Sequence, residues 1–261
     1  MKILFIGDIV SSPGREAVKK ILPRLQKQYA LDFVIANAEN AAGGSGITRQ
    51  VADELFDAGV SVLTSGDHIW KKKEIFEIID RDPRILRPLN FPKGSPGKGA
   101  DVFTASSGEK IAVVNLQGRV FMEALDCPFR AIDEQLEDLK KRAKVVIVDI
   151  HAEATSEKIA MGWFLDGRVS AVLGTHTHIQ TADEKILPAG TAYLTDAGMT
   201  GPYYSVIGRR VEDVLKRFLT SIPVKFEVAQ DDIQLHACLV EIDPASGKAI
   251  LIKRLQEKLN D

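Results

Sequence analysis

Cysteine is nearly absent from this 261-residue chain, which holds only Cys127 and Cys238. Two thiols build neither a disulfide framework nor a cysteine-based zinc site, and the setting they predict is a reducing cytoplasm. Long apolar runs are missing too. No stretch approaches the roughly 20 residues of a membrane helix. The opening run Ile3–Ile6 ends in Gly7-Asp8 with no small-residue cleavage site after it, so it reads as a strand rather than a signal peptide. A soluble protein is therefore expected. Charge of one sign is not in excess either: 34 Lys and Arg stand against 36 Asp and Glu, a net charge of −2. That balance removes any whole-molecule case for stable nucleic-acid or anionic-membrane binding, and it leaves room for a small nucleotide.

What is present is an ordinary globular composition, 45% hydrophobic and 27% charged. A chain of this length buries roughly 30,000 Å² on folding, enough for a full core without staples. We read residues 1–261 as a single domain. Short aliphatic runs (Leu4–Ile6, Phe33–Ala36, Val60–Thr64, Ile111–Asn115, Val145–Asp149 and Ala171–Gly174) predict buried strands. Between them, Arg15–Tyr29, Arg49–Ala58, Lys73–Ile79, Ile132–Ala143 and Glu157–Phe164 predict helices with one charged face. Val102–Asn115 and Leu235–Ile252 read as antiparallel hairpins, so the expected class is α/β with mixed sheets. Pro88–Gly99, with three Pro and three Gly, is the one long loop.

Polar residues fall at the carboxyl ends of those strands, where loops of an open α/β sheet converge on a ligand. Asp8 follows the first run, Glu39-Asn40 the second, Asp67-His68 the third, His151 the fifth and His176-Thr177-His178 the sixth. Each has a plainer explanation taken alone: Asp8 as a helix cap, Asn40 as a turn residue, His68 or His151 as a satisfied core group. His176-x-His178 resists one, because a period of two puts both imidazoles on one side of an extended segment. Of five histidines in the chain, four belong to this set. The combined donors exceed what one metal ion uses and match two, and mixed oxygen and nitrogen ligands suit Mn, Fe, Zn or Co. Two such ions bridged by a carboxylate, for which Glu39 is placed, activate water and clamp a phosphoryl group. Metal-assisted phosphoester hydrolysis is the chemistry this implies.

Gly7-Asp8, Ala38–Gly44, Gly66-Asp67-His68, His151–Lys158, Gly174–His178 and Thr195–Pro202 together resemble the calcineurin-like metallophosphoesterases, and more narrowly their bacterial YmdB-like branch. The resemblance runs nearly end to end and also takes in Arg87-Pro88 and Pro96–Gly99. It implies a four-layer α-β-β-α sandwich and a dinuclear iron or manganese centre. It implies phosphodiesterase activity, with 2′,3′-cyclic nucleotides as substrates and attack by a metal-bridging hydroxide. By position, one metal falls to Asp8, Glu39, Asn40 and His178, the other to Glu39, Asp67, His151 and His176, and His68 becomes the proton donor. A homo-oligomer is also implied. The branch usually reads Gly-Asn-His where this chain has Gly66-Asp67-His68. The extra carboxylate is expected to tighten metal binding, raise the pKa of bound water and weaken attraction for an anionic phosphodiester.

The remaining features are assigned supporting places. Ala41–Thr48 lacks the Gly-Lys-[Ser/Thr] ending of a P-loop and reads as a loop that positions Glu39-Asn40. Arg15 has two readings, a substrate contact or part of a helix start. Lys71–Lys73 either adds positive potential or is a solvated helix start. Glu153 has two readings, a partner for a ligating histidine or a solvated loop carboxylate, and His236 reads as structural. Two rivals stand against the phosphodiesterase: a regulatory or scaffold protein that retains the dinuclear site with little catalysis, and a metal-dependent amidase or peptidase. The second lacks a His-Glu-x-x-His helix.

Overall fold

The computed structural model describes residues 1–259. Apolar runs become strands buried on both faces. Along β1 (Lys2–Ile6), Ile3 and Phe5 enter one apolar cluster while Leu4 and Ile6 enter another, so the run is continuously apolar because each alternate side chain has a core to fill. In chain order there follow β2 (Asp8–Ile9), α1 (Ser11–Tyr29), β3 (Phe33–Asn37), α2 (Arg49–Asp57), β4 (Val62–Thr64), α3 (Ile75–Ile78), β5 (Ala100–Thr104) and β6 (Lys110–Gln117). Next come α4 (Pro128–Arg142), β7 (Val145–His151), α5 (Thr155–Leu165), β8 (Ala171–Thr175), β9 (Lys185–Ile186), β10 (Ala192–Leu194) and β11 (Met199–Pro202). The last elements are α6 (Val211–Thr220), β12 (Ile233–Ile242) and β13 (Ala249–Lys258).

The strands make two mixed sheets. The first runs β2-β11-β12-β1-β3-β4 with β13 paired to β12, the second β5-β6-β7-β8-β10-β9. Three cores separate four layers. Val18, Leu22 and Leu25 of α1 and Leu55 of α2 pack on the outer face of the first sheet. Phe5, Ile35, Val113, Ile147 and Leu173 fill the space between the sheets. Ile132 and Leu136 of α4 and Met161 of α5 cover the outer face of the second. This is the expected α-β-β-α sandwich. Strands β1, β3 and β4 run parallel, as do β6, β7 and β8, and their carboxyl ends meet at one edge.

Several boundaries differ from expectation. Helix α1 starts at Ser11 rather than Arg15, since Pro13 sits in the first turn, where a missing N–H breaks no helical bond. The helix expected over Lys73–Ile79 shrinks to the single turn α3 after a 3-10 turn at Ile69–Lys71, and buries only Ile75 and Ile78 of its four residues. Helix α6 was not foreseen. It leaves Leu215, Phe218 and Leu219 at 50%, 79% and 83% exposure. Strands β2, β9, β10 and β11, two to four residues each, were too short to be read as periods. Residues 88–99 form no regular element, and Arg87 donates to the carbonyls of Pro88, Ser95 and Pro96 to hold them.

Candidate metal centre

The loops at this edge are shaped by local needs that end in the placement of side chains. After β3, the Gly46 N–H donates to the Glu39 carbonyl and Ala42 N–H to the Gly46 carbonyl at 3.0 Å. A tight turn thus turns Glu39 and Asn40 inward. After β4 only glycine fits at position 66, because a Cβ there would run into the His151 imidazole and the Glu39 carboxylate. After β8, His176 and His178 take φ of 105° and 66°, left-handed conformations that cost a non-glycine residue on the order of 1–3 kcal/mol each and collect at functional sites. Thr177, between them, is held from below: its N–H and hydroxyl donate to Asp196 at 3.1 and 2.7 Å. Asp196 in turn pairs with the wholly buried Lys158 ammonium at 2.8 Å.

The side chains converge. His151 Nε2 lies 3.3 Å from both Glu39 Oε1 and Asp67 Oδ1, and 2.9 Å from His176 Nδ1. Glu39, Asp67, His151 and His176 form a cluster that could hold a metal ion. Beside it, Asn40 Nδ2 donates to Glu39 Oε1 at 3.1 Å and stands 3.3 Å from His178 Nε2, which is 3.9 Å from Asp8 Oδ1. Asp8 does not cap α1, whose N-cap is Val10; its Oδ2 accepts the His176 N–H at 3.1 Å. His68 faces the same space, its N–H donating to Glu39 Oε2 at 3.0 Å and its Nδ1 lying 2.8 Å from Asn40 Oδ1. All eight residues nominated from the sequence gather at this edge, four of them in the cluster that could hold a metal ion. The first sheet brings the oxygen donors Asp8, Glu39, Asn40 and Asp67 together with the His68 imidazole; the second brings the imidazoles of His151, His176 and His178.

Charge in this group is poorly compensated by the protein alone. Burial, reinforced by Glu39 and Asp196, pushes the Asp8 carboxyl up to about 7. Burial opposes ionisation of Glu39 and Asp67 as well, yet the His151 imidazole holds both below the usual carboxylate range. His151 itself is raised, its burial outweighed by the Glu39 carboxylate and by the close approach of Asp67. His176 is lowered to about 4 by burial and by His151. Asp8 Oδ1 and Asp67 Oδ1 are buried and accept no hydrogen bond. Orphaned carboxylate oxygens and imidazole nitrogens aimed into one space are what divalent cations satisfy, so the residues fit a metal centre.

Sequence reasoning passed over the support beneath His151. Its Nδ1 is 2.9 Å from the Thr175 hydroxyl, which donates to Asp149 Oδ1 at 2.7 Å. Asn37 and Thr64 donate to the other Asp149 oxygen at 3.1 and 2.5 Å. The Thr175 proton goes to Asp149, so in neutral His151 the Nδ1–H points at Thr175 and the Nε2 lone pair faces the cluster. Period two along β7, which sets Asp149 on the face of His151, was the available signal. Glu153 partners a nominated ligand, His176: its Oε2 lies 3.3 Å from His176 Nε2, half exposed. Arg15 joins Glu54 and the Ala41 carbonyl, the structural reading of that residue. Lys72 packs its stem against Gly46. His236 is buried against Tyr203, and both cysteines are free thiols.

Comparison with known proteins adds three findings. A family model described as YmdB-like protein matches residues 4–255. The 2′,3′-cyclic-nucleotide 2′-phosphodiesterase of Bacillus subtilis (strain 168) is 50% identical over 255 residues, covering 98% of this chain and 96% of that protein. Two crystal structures superpose with a TM-score of 0.93. A hypothetical protein from Thermus thermophilus is 45% identical, with 99% of each chain covered. A novel phosphatase from Mycoplasma pneumoniae is 35% identical, with 99% of this chain and 93% of that chain covered.

Proposed function

This chain belongs to the YmdB-like protein family, and on that footing we propose that it is a metal-dependent phosphodiesterase that hydrolyses 2′,3′-cyclic nucleoside monophosphates. The observation that carries the reading is a near full-length relative at 50% identity bearing that activity in its name, together with a clustered oxygen and nitrogen donor set at the strand ends. One ion would be held by Asp8, Glu39, Asn40 and His178, the other by Glu39, Asp67, His151 and His176, with iron or manganese as the metal. Bound there, divalent ions supply Lewis acidity and lower the pKa of water.

The chain's own residues do the rest. Hydrolysis breaks the P–O2′ bond, adds a water oxygen to phosphorus and returns a proton to O2′, a poor leaving group as an alkoxide. His68 is placed to supply that proton. Its Nδ1 is turned to Asn40, which leaves Nε2 to face the departing oxygen. The remainder of the reading is a single domain over 1–261, a cytoplasmic location, a small nucleotide substrate and a homo-oligomeric state.

The experiment is hydrolysis of 2′,3′-cyclic AMP by protein reconstituted with Mn(II) or anaerobic Fe(II), beside a Glu39→Gln control with the same circular dichroism and melting temperature. Metal-dependent turnover lost in the control is expected. Absence of turnover with two metals bound overturns the reading in favour of a regulatory protein.

A further inference from the structure

Two arginines reach the glycine-rich loop that follows Glu39 and Asn40, and their charges are answered differently. Arg15 donates Nη1 to the Ala41 carbonyl at 2.6 Å and Nε to Glu54 at 2.8 Å. Arg209 donates Nη2 to the Gly44 carbonyl at 2.8 Å, and among the described residues it forms no ion pair. Its neighbour Arg210 pairs with both Glu212 and Glu227. The guanidinium of Arg209 lies flat against the loop, so close that a Cβ at position 44 would stand 2.7 Å from Nη1 and 2.8 Å from Nη2.

The segment that carries Arg209 is fastened to the metal centre. The Ile207 carbonyl lies 3.1 Å from His178 Nδ1. Arg209 and Val206 exchange backbone hydrogen bonds of 3.0 and 2.8 Å that close the turn between them. Arg209 thus bridges the loop of Glu39-Asn40 and the loop that touches His178. Burial lowers its pKa from the ordinary arginine value. A half-buried guanidinium with one backbone partner keeps a planar fork of donors, the geometry that matches phosphate. Asp8, Glu39 and Asp67 bring three carboxylates to the centre, which would offset most of the charge of two divalent ions, so a cation at its margin adds to the attraction for an anion.

We propose that Arg209 is a substrate-binding residue whose remaining N–H donors hold a phosphate oxygen of the nucleotide at the mouth of the metal centre. The proposal rests on the phosphodiesterase reading and is tested so that the two fail separately. Metal-loaded wild type, Arg209→Gln, Arg209→Lys and Gly44→Ala are compared for calorimetric affinity toward inorganic phosphate and adenosine 3′-monophosphate. KM and kcat on 2′,3′-cyclic AMP, metal content and melting temperature are measured alongside. Arg209→Gln is expected to raise both dissociation constants and KM about tenfold or more, the scale of one charged hydrogen bond, with kcat within about twofold and metal content unchanged. Gly44→Ala, by displacing the guanidinium, should follow it, and Arg209→Lys should fall between. Unchanged phosphate affinity in Arg209→Gln overturns the proposal, as does a loss of affinity matched by loss of metal or of thermal stability. If wild type fails to turn over the cyclic nucleotide while Arg209→Gln still weakens phosphate binding, the phosphodiesterase reading falls and the Arg209 assignment stands.

Discussion

Lys158 and Asp196 lie 2.8 Å apart with neither side chain exposed to solvent. Asp196 also receives Thr177 and Gly198, so the pair anchors the strained turn of His176 and His178. Lys158→Met leaves a buried carboxylate without its cation and is expected to cost about 3–5 kcal/mol of stability. Guanidinium titration checks this. A loss below about 1 kcal/mol would mean that the N–H and O–H donors alone satisfy Asp196.

Thr175 joins Asp149 to His151. Thr175→Val removes the group that fixes the imidazole tautomer, and metal affinity should fall about 10- to 100-fold, the usual effect of losing such a partner. Thr175→Ser should restore it. Competition titration with a chelator measures both, and equal weakening by Val and Ser would place the effect in packing rather than in the hydroxyl.

His68 touches Asn40 and Glu39 from the open side of the site. His68→Ala should lower kcat about 10²- to 10⁴-fold, the range of general acid catalysis, at unchanged metal content. Loss of metal together with turnover would make it a holder of the centre instead.

Asp67 contributes a carboxylate 3.3 Å from His151 Nε2. Asp67→Asn removes one negative charge and should raise kcat/KM at neutral pH by on the order of tenfold, the scale of one pKa unit, while loosening the metal. Equal or lower efficiency in a fully metal-loaded variant would contradict this account of the charge.

His236 is held neutral, lowered to about 4 by burial against the opposing charge of Asp232. The unfolded chain takes up this proton near pH 6.5 and the folded one only near 4, so the unfolded state binds more protons in between. Stability is therefore full above about pH 6.5 and declines as pH falls toward 4, by roughly 3 kcal/mol at most. His236→Gln should flatten that part of a pH-dependent denaturation profile; an unchanged slope would assign it to other groups.

The sandwich was legible because Ile3 to Ile6 or Val145 to Val148 leave no polar face, which places sheets between layers. The donors were legible because Asp8, Glu39, Asp67, His151 and His176 each follow such a run. Contacts between distant segments were not. Glu153 sits two residues from His151 in sequence yet faces His176, and Asn37 acquires its purpose only when β7 packs opposite β3. Arg209 meets Gly44 across 165 residues, a separation at which no local spacing speaks. Helix α6 escaped for another reason: its apolar residues cover no core that the strand pattern required.

The division of donors between the sheets has a consequence for ion choice. Apart from the His68 imidazole, the first sheet offers the centre oxygen donors, which in isolation suit hard ions such as magnesium or calcium. The three imidazoles nominated as ligands, His151, His176 and His178, come with the second, and imidazole suits the transition metals. The ligand imidazoles thus join the oxygen donors only through the packing of one sheet on the other, so the apolar contacts that hold the sandwich together also set which cations the donor set suits.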